Sequence, residues 1–158
     1  MSETIIYLEI TDPAELREPE SAPQITHSIE RVNDSELNRR LYEEVGGPHQ
    51  WIDRLRWSAE LWRSYASEVE TWVARVESEP AAYLELKHEK GSAAISILGV
   101  RERYRGLGLG GALLTHGILR GFELAPRVWL STNTMDSEHA LANYEARGMR
   151  VFKRKRLR

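Results

Sequence analysis

The segment RYRGLGLGGALL, residues 103–114, places four glycines between two arginines and a run of leucines. A glycine-rich turn that runs into a helix presents unpaired backbone N–H groups, and the helix dipole adds partial positive charge there. Phosphate groups can approach such a turn closely, because glycines have no Cβ to hold an anion away from the backbone. The segment therefore predicts a phosphate site formed by Arg103, Arg105, Gly106, Gly108, Gly110 and Gly111.

The residues around the glycines decide which phosphate compound fits. Gly106, Gly108 and Gly111 match the dinucleotide motif G-x-G-x-x-G, but that motif needs an acidic residue about 20 positions later. The next strand ends instead in STN, residues 131–133, and the sequence has no Gly-Lys-Ser/Thr triphosphate loop. A dinucleotide or triphosphate site is therefore excluded. A helix start without a ligand is the remaining alternative, although four glycines cost roughly 1 kcal/mol each in helix propensity.

The same segment also fits the pattern Arg-x-x-Gly-x-Gly, with Arg105, Gly108 and Gly110. In this form it resembles the signature of the GNAT acetyltransferases, in which the glycines open a long helix after a strand. The sequence ALANYEARGM, residues 140–149, resembles that family's Ala-x-x-x-Tyr-x-x-x-Gly-Phe helix, with Met149 in place of the phenylalanine. Two matches at the family's spacing extend the resemblance over roughly residues 70–152.

This resemblance implies an α+β GNAT fold, in which a central mixed, mostly antiparallel sheet is flanked by about four helices. It implies an enzyme that transfers an acetyl group from acetyl-CoA to a primary amine of a small molecule or a protein. A non-catalytic acyl-CoA-binding module of the same fold is the alternative.

The resemblance also implies roles for individual residues. Tyr144 matches the general acid that protonates the departing thiolate, and a phenol with a pKa near 10 can donate at pH 7 without special tuning. Leu98 and Val100 match the splayed strand that holds the pantetheine arm, with Gly99 between them consistent with a β-bulge. Asn133 matches a side chain placed against the pantetheine. A buried tyrosine without catalytic function is the alternative for Tyr144.

The general base is less clearly indicated. Many GNAT relatives have a glutamate on the strand before the glycines, but AAISILGV, residues 93–100, contains no acid. Glu85 on the neighbouring strand is the best substitute, and its apolar surroundings favour a raised pKa. A solvated strand glutamate, His49, His139 and deprotonation through water are the alternatives.

The acceptor site is expected between the first two helices, in GGPHQWIDRLRWSAELW, residues 46–62. Trp51, Asp53 and Arg54 are the candidate substrate-binding residues, with Trp51 as a wall of the pocket. Trp62 and one other tryptophan are expected in the core, because tryptophans mostly stabilise a fold by burial.

Composition limits the class of protein. The chain of 158 residues fits a single domain, 1–158, in which residues 1–24 form an N-terminal strand and an irregular connector. It has no cysteine and five histidines without an HxxxH pair, so we expect no metal. No stretch approaches the roughly 18 to 20 apolar residues of a membrane span, so we expect a cytoplasmic protein without a membrane partner. A homodimer is left open.

The charges divide unevenly along the chain. Residues 1–100 hold 10 Lys/Arg against 19 Asp/Glu, and residues 101–158 hold 12 against 5, which gives −9 and +7. A basic C-terminal part suits an anionic ligand, and an acidic N-terminal part suits a cationic acceptor. Simple solvation of exposed faces is the alternative. The terminal KRKRLR lacks interleaved aromatic residues, so a nucleic-acid partner is not expected.

The periodicity of apolar residues predicts the elements that position these side chains. Helices are expected at 34–47, at 58–70 with Leu61 on the buried face, from the glycines to before Pro126 with Leu107 on the buried face, and from Asp136 or Ser137 to Gly148. Strands are expected at 4–10, 25–32, 71–78, 81–90, 93–100, 127–133 and 149–158. The third to fifth strands should form an antiparallel meander, joined by a Glu-Pro turn and by EKGS.

Overall fold

The computed structural model describes residues 3–49, 51–134 and 138–157, without the side chains of residues 49 and 138. Its strands are β1 Thr4–Ile10, β2 Ser28–Val32, β3 Glu70–Val76, β4 Glu79–Glu89, β5 Ser92–Val100, β6 Val128–Asn133 and β7 Arg150–Arg156. Its helices are α1 Ser35–Gly46, α2 Ala59–Glu68, α3 Leu109–Leu124 and α4 Glu138–Ala146. The predicted α+β architecture is confirmed.

The strands form one mixed sheet in the order β2-β3-β4-β5-β6-β1-β7. The predicted antiparallel meander of β3, β4 and β5 is confirmed. β5 and β6 pair in parallel, and the pairing covers residues 93–95 of β5 and 128–130 of β6. Beyond Ile95 the two strands diverge, and their carboxyl ends enclose an open space.

The opening strand lies far from its sequence neighbours. β1 pairs with β6 on one side and with β7 on the other, antiparallel in both cases. The basic strand β7 thereby lies at one edge of the sheet and β2 at the other. Hydrophobic alternation predicts that β1 is a strand, but this non-local placement cannot be derived from the sequence.

Helices cover both faces of the sheet. Apolar residues of α1 pack with Val73 and Tyr83 in a small core on one face. Residues of α3, together with Tyr144 and Met149, pack on the other face against strand residues such as Leu84 and Ile95. Asp34 is the N-cap of α1, and its carboxylate accepts hydrogen bonds from two backbone N–H groups at the start of the helix.

The α4 helix ends in a Schellman motif at the predicted glycine. Gly148 has a φ of +100°, which glycine adopts without steric cost. The Met149 N–H donates to the Tyr144 carbonyl, and the Gly148 N–H donates to the Glu145 carbonyl. This cap fixes the turn of helix that carries Tyr144. The predicted N-cap residues Asp136 and Ser137 lie outside the described residues.

Two predicted helix faces are corrected by the structure. Leu61 is 45% exposed, and α2 instead buries Trp62 and Ala66. Leu107 precedes the first residue of α3, because the chain turns twice through positive-φ glycines before the helix begins. The prediction that α3 ends before Pro126 is confirmed.

Two predicted turns are also corrected. The β3–β4 turn consists of Glu77 and Ser78, which both have positive φ, while Pro80 belongs to β4. The bulge in β5 is at Ser96, where the pairing shifts from Ile95 with Leu86 to Ile97 with Glu85. Gly99 pairs regularly with Tyr83, so the predicted bulge at Gly99 is wrong.

Candidate functional site

A cavity of about 1440 Å³ opens where β5 and β6 diverge. It is lined by residues from the glycine turn, the two diverging strands, α4 and the loop before α2. Predicted site residues on its wall are Leu98, Val100, Arg105, Gly106, Gly110, Gly111, Asn133, Tyr144, Trp51, Asp53, Arg54 and His139. Segments far apart in sequence therefore meet around one space.

Arg103, Gly108 and Glu85 are not among the described residues of that wall. The Arg103 guanidinium lies over the ring of Tyr104, 4.9 Å from its centroid. The Arg105 guanidinium donates from Nε to the Val100 carbonyl at 3.4 Å, next to the turn. The two predicted arginines therefore differ in position, and Arg105 is the one that borders the cavity.

The glycines of the turn differ in what a side chain at each position would contact. Gly108 is the N-cap of α3 with a φ of +89°, and a Cβ there would lie 3.1 Å from Pro23 Cα. It is needed for backbone conformation and packing. Gly106 has a φ of +78°, and no described atom lies within 4 Å of the place that a Cβ would occupy. A Cβ at Gly110 would make ordinary contact with Val100 at 3.5 Å.

The first N–H groups of α3 have no carbonyl partner within the helix, because an α-helix leaves its first four N–H groups unpaired. They lie at the end of the cavity that Gly106, Gly110 and Gly111 line. Together with the helix dipole and Arg105, they form a region suited to an anion.

The connector after β1 packs beside this turn, which the sequence does not predict. The Gln24 N–H donates to the Leu107 carbonyl at 2.9 Å, and the Arg17 N–H donates to the Arg147 carbonyl at 3.0 Å. A Cβ at Gly111 would lie 3.3 Å from Pro19, with Arg147 Nη1 at 3.1 Å. Arg147 is thus a further cation beside the turn that sequence reasoning misses.

Tyr144 and Asn133 border the cavity from two directions. Tyr144 of α4 is 7% exposed and packs in the core with residues of α3. Asn133 lies at the end of β6, and its side-chain amide donates to the Glu3 carboxylate. Glu3 and Ile5 of the N-terminal strand region also line the cavity, which the sequence does not predict.

Trp51 forms a wall through close packing on two glycines. A Cβ at Gly46 would lie 2.6 Å from Trp51 Cβ, and a Cβ at Gly99 would lie 3.3 Å from Trp51 Cη2 and 2.7 Å from Val45. The Tyr42 ring lies beside the indole, with centroids 5.6 Å apart. Glycine at position 99 therefore lets the Trp51 and Val45 side chains pack directly against the strand.

Glu85 is fully buried, with 0% exposure, behind Arg54 and Tyr65. Its Oε1 accepts hydrogen bonds from Arg54 Nη1 at 2.9 Å and from the Tyr65 hydroxyl at 2.5 Å. Its Oε2 accepts from Asn38 Nδ2 at 2.9 Å. Within the described part of the chain, the carboxylate therefore has no direct contact with the cavity, although Arg54 at its side does. The side chain of His49, an alternative base, lies outside the described residues.

Four aromatic rings surround the Arg54 guanidinium. Its Cζ lies 4.2 to 5.8 Å from the ring centroids of Tyr42, Trp57, Trp62 and Tyr65. We call these four rings with Arg54 the aromatic cage. Cation–π attraction favours a guanidinium there, especially when it is desolvated.

The electrostatics of this cluster follow from burial and from the carboxylate. Burial by itself lowers the pKa of Arg54, but attraction to Glu85 more than offsets this, and the pKa stands above its usual value. Burial, and then the negative charge of Glu85, raise the pKa of the Tyr65 hydroxyl. Burial likewise raises the pKa of Tyr83, so both phenols stay protonated at neutral pH.

Neither a metal cluster nor a membrane-spanning helix occurs in the described part of the chain. Within the ranges 3–49, 51–134 and 138–157, no three His, Cys, Asp or Glu side chains cluster as metal ligands would. In the same ranges, no helix has the length and apolar character needed to cross a membrane.

Comparison with known proteins gives a family match. Residues 32–149 match the family described as Acetyltransferase (GNAT) family. Comparison with curated proteins gives no match.

Three similar solved structures share the fold. A GCN5-related N-acetyltransferase from Kribbella flavida has 18% identity and a TM-score of 0.64, with 95% of this chain and 56% of that chain covered. An IAA acetyltransferase from Bacillus cereus has 21% identity and a TM-score of 0.64, with 81% and 79% covered. The ribosomal-protein-S18-alanine N-acetyltransferase from Escherichia coli has 22% identity and a TM-score of 0.56, with 77% and 76% covered.

Several similar structures are much longer than this chain. The chain spans between 50% and 62% of the length of five of them.

Proposed function

Because the chain belongs to the acetyltransferase (GNAT) family, we propose that it transfers an acetyl group from acetyl-CoA to a primary amine of a small molecule or a protein. One observation carries this proposal. The glycine turn, the diverging ends of β5 and β6, and Tyr144 all border one cavity. These are the parts that such a transfer needs: a phosphate cradle, a slot for an extended arm and a proton donor.

The donor end of the cavity fits the pyrophosphate of acetyl-CoA. The first-turn N–H groups of α3 and the Arg105 guanidinium supply hydrogen-bond donors and positive charge. Gly106 and Gly110 leave their backbone accessible, since glycine carries no Cβ. Leu98 and Val100 lie on the part of β5 that has lost its β6 partner, so this part of the strand can bind the amide groups of an extended pantetheine arm.

Acyl transfer to an amine needs a proton for the departing thiolate. Tyr144 is our candidate for this general acid, because it lines the cavity and packs against α3, which follows the glycine turn. The Schellman cap holds its backbone in place. Its phenol O–H donates a proton to sulfur as the C–S bond breaks, and the proton that leaves the new amide nitrogen restores it.

The amine must also lose a proton before it can attack the thioester carbonyl carbon. Glu85 remains our candidate base, and its burial means that the proton must reach it through an intermediate group. The carboxylate is connected to the cavity side through Arg54 and Tyr65. Arg54 cannot relay a proton because it has no acceptor atom and stays charged.

The acceptor end of the cavity suits a cationic amine. Asp53 and Glu3 both line the cavity, and the charge of Arg54 is balanced by Glu85. Trp51 and Ile52 add apolar surface, and Ile52 is 67% exposed. These residues support polyamines, aminoglycosides or lysine-rich peptides as acceptors over anionic amino acids.

Two measurements test this function. CoA should raise the melting temperature, because a ligand that binds only the folded state stabilises it. Free CoA should then appear when acetyl-CoA is mixed with spermidine, kanamycin or a lysine-rich peptide. A melting shift without CoA release from any amine would support the non-catalytic acyl-CoA-binding module instead.

A further inference from the structure

The two faces of the sheet contribute different parts of the cavity wall. Ile6 and Leu8 of β1 pack in the core with Tyr144 and residues of α3, so Ile5, between Thr4 and Ile6, lies on the opposite face. Asn133 pairs with Ile5 across β6 and β1 and therefore shares that opposite face. The glycine turn and Tyr144 thus border the cavity from the α3 face, whereas Ile5 and Asn133 border it from the other face.

Trp51 lies on this second face as well. It packs against the small core that α1 forms with Val73, whose chain neighbour Ala74 belongs to the core on the α3 face. Asp53 follows Trp51 in the loop before α2 and lines the same cavity. Because the phosphates of the donor are proposed to bind at the start of α3, the second face is the side from which an acceptor reaches the cavity.

Glu3, the residue before β1, lines the cavity beside Asn133. Its carboxylate Oε1 accepts a hydrogen bond from Asn133 Nδ2, and its backbone carbonyl accepts one from the Leu157 N–H at 2.8 Å. The next residue, Thr4, exchanges two hydrogen bonds of 3.0 Å with Thr134. Both the backbone and the side chain are therefore held, so the carboxylate has a defined position on the cavity wall.

The position of Glu3 in the sheet decides which nitrogen of an acceptor it contacts. The reacting nitrogen has to reach the gap between β5 and β6, where we place the thioester of the donor. β1 lies on the other side of β6 from that gap, and neighbouring strands are about 4.8 Å apart. A carboxylate also favours the charged form of an amine that it contacts, whereas the reacting amine has to be neutral. Glu3 is therefore placed for a nitrogen that does not react.

We propose that the Glu3 carboxylate, positioned by Asn133, binds a second, non-reacting ammonium group, and that the acceptor is an alkyl diamine or polyamine. This inference rests on the proposed acetyl transfer and narrows its substrate class. Among the described residues, the hydrogen-bond partner of the carboxylate is the neutral Asn133 amide, so its negative charge is available to a cation. Trp51 and the exposed Ile52 give the methylene chain between the two nitrogens an apolar surface.

The test compares kcat/KM for putrescine and for pentylamine, with acetyl-CoA as the donor. Pentylamine has a methyl group where putrescine has its second ammonium, so the ratio of the two values measures recognition of that ammonium. The unaltered protein should prefer putrescine by roughly tenfold or more, as expected for one hydrogen bond between charged groups. Glu3→Gln removes the charge but keeps an oxygen that accepts from Asn133. It should reduce the preference to within about twofold, through a higher KM for putrescine rather than a lower kcat.

Glu68→Gln is the matched control, because Glu68 is an exposed acid on α2 that is not among the described residues of the cavity wall. It should keep the preference of the unaltered protein. Melting temperatures show whether Glu3→Gln folds, and the preference of the unaltered protein tests the substrate class in either case.

Three outcomes would overturn the role of Glu3 while leaving acetyl transfer intact. The first is equal use of putrescine and pentylamine by the unaltered protein, and the second is an unchanged preference in folded Glu3→Gln. The third is turnover of kanamycin or a lysine-rich peptide without turnover of putrescine. No turnover of any of these amines would overturn both the role of Glu3 and the proposed function.

Discussion

The Arg54 guanidinium and the Glu85 carboxylate form an ion pair at 2.9 Å, with side-chain exposures of 12% and 0%. The pair links the loop before α2 to the centre of the sheet. That loop carries Trp51 and Asp53, which line the cavity. Arg54 therefore ties this part of the cavity wall to β4 through an ion pair between residues 31 positions apart.

The first prediction concerns the stability of this pair. Arg54→Met leaves a buried carboxylate without its counter-charge, and breaking such a pair costs about 3 to 5 kcal/mol. The double variant Arg54→Met/Glu85→Gln should be destabilised by clearly less than the sum of the two single changes. Urea unfolding of the four proteins measures this coupling, and additive losses would show that the two side chains do not stabilise each other.

The second prediction concerns the phosphate cradle. Gly110→Val places a branched side chain beside Val100 and toward the cavity, in a helical position that accepts a Cβ. The melting temperature without ligand should change little, and the increase caused by CoA should disappear. Differential scanning fluorimetry with and without CoA measures both quantities.

Gly108→Ala is the informative comparison for this experiment. Its positive φ and the 3.1 Å approach to Pro23 strain any Cβ, so it should lower the melting temperature itself. The expected cost is about 1 to 2 kcal/mol for the left-handed conformation alone. A normal CoA-dependent shift in folded Gly110→Val would remove the α3 turn from the cofactor site.

The third prediction concerns the general acid. Tyr144→Phe keeps the ring that packs in the core and removes only the hydroxyl. Loss of a general acid acts in the transition state, so kcat should fall by roughly tenfold or more while the affinity for acetyl-CoA stays within error. Steady-state kinetics together with a CoA binding measurement separate the two effects. Unchanged kcat would assign Tyr144 to the core alone.

The fourth prediction concerns the charge of the acceptor end. Asp53→Asn should lower kcat/KM for a polyamine several-fold at low ionic strength, because it removes a carboxylate from the cavity wall. The difference should shrink as salt increases, since screening at physiological ionic strength acts over about 8 Å. Glu68→Gln, an exposed acid on α2 away from the cavity, is the control. An equal effect of both substitutions would assign the acidic residues to solvation.

Much of the fold could be predicted because its signals are local. The meander needs only alternating apolar residues and a short turn at Lys90–Gly91, and α3 must end before Pro126. The glycine turn at the start of α3 could be predicted because four glycines in six residues disfavour helix and mark a turn. Most of the predicted site residues therefore lie around one cavity.

The parts of the fold and of the site that could not be predicted depend on contacts between segments distant in sequence. No local pattern indicates that β1 inserts between β6 and β7, or that the connector after it packs beside Gly108. Arg54 and Glu85 are separate candidates in the sequence, and only the packing of α2 and its preceding loop against the sheet brings them together with Tyr65. Because glycines are common in β-bulges, the sequence favours a bulge at Gly99. The shift in strand pairing instead occurs at Ser96.

The most direct test of acetyl transfer at this cavity uses an isotope-labelled acetyl group on acetyl-CoA and a cationic amine, followed by mass spectrometry of the amine. We predict labelled N-acetyl product and free CoA in equal amounts with the unaltered protein, and neither above background with Gly110→Val. A protein that shows the CoA-dependent melting shift, but forms no labelled product with spermidine, kanamycin or a lysine-rich peptide at any pH, would contradict acetyl transfer at this cavity.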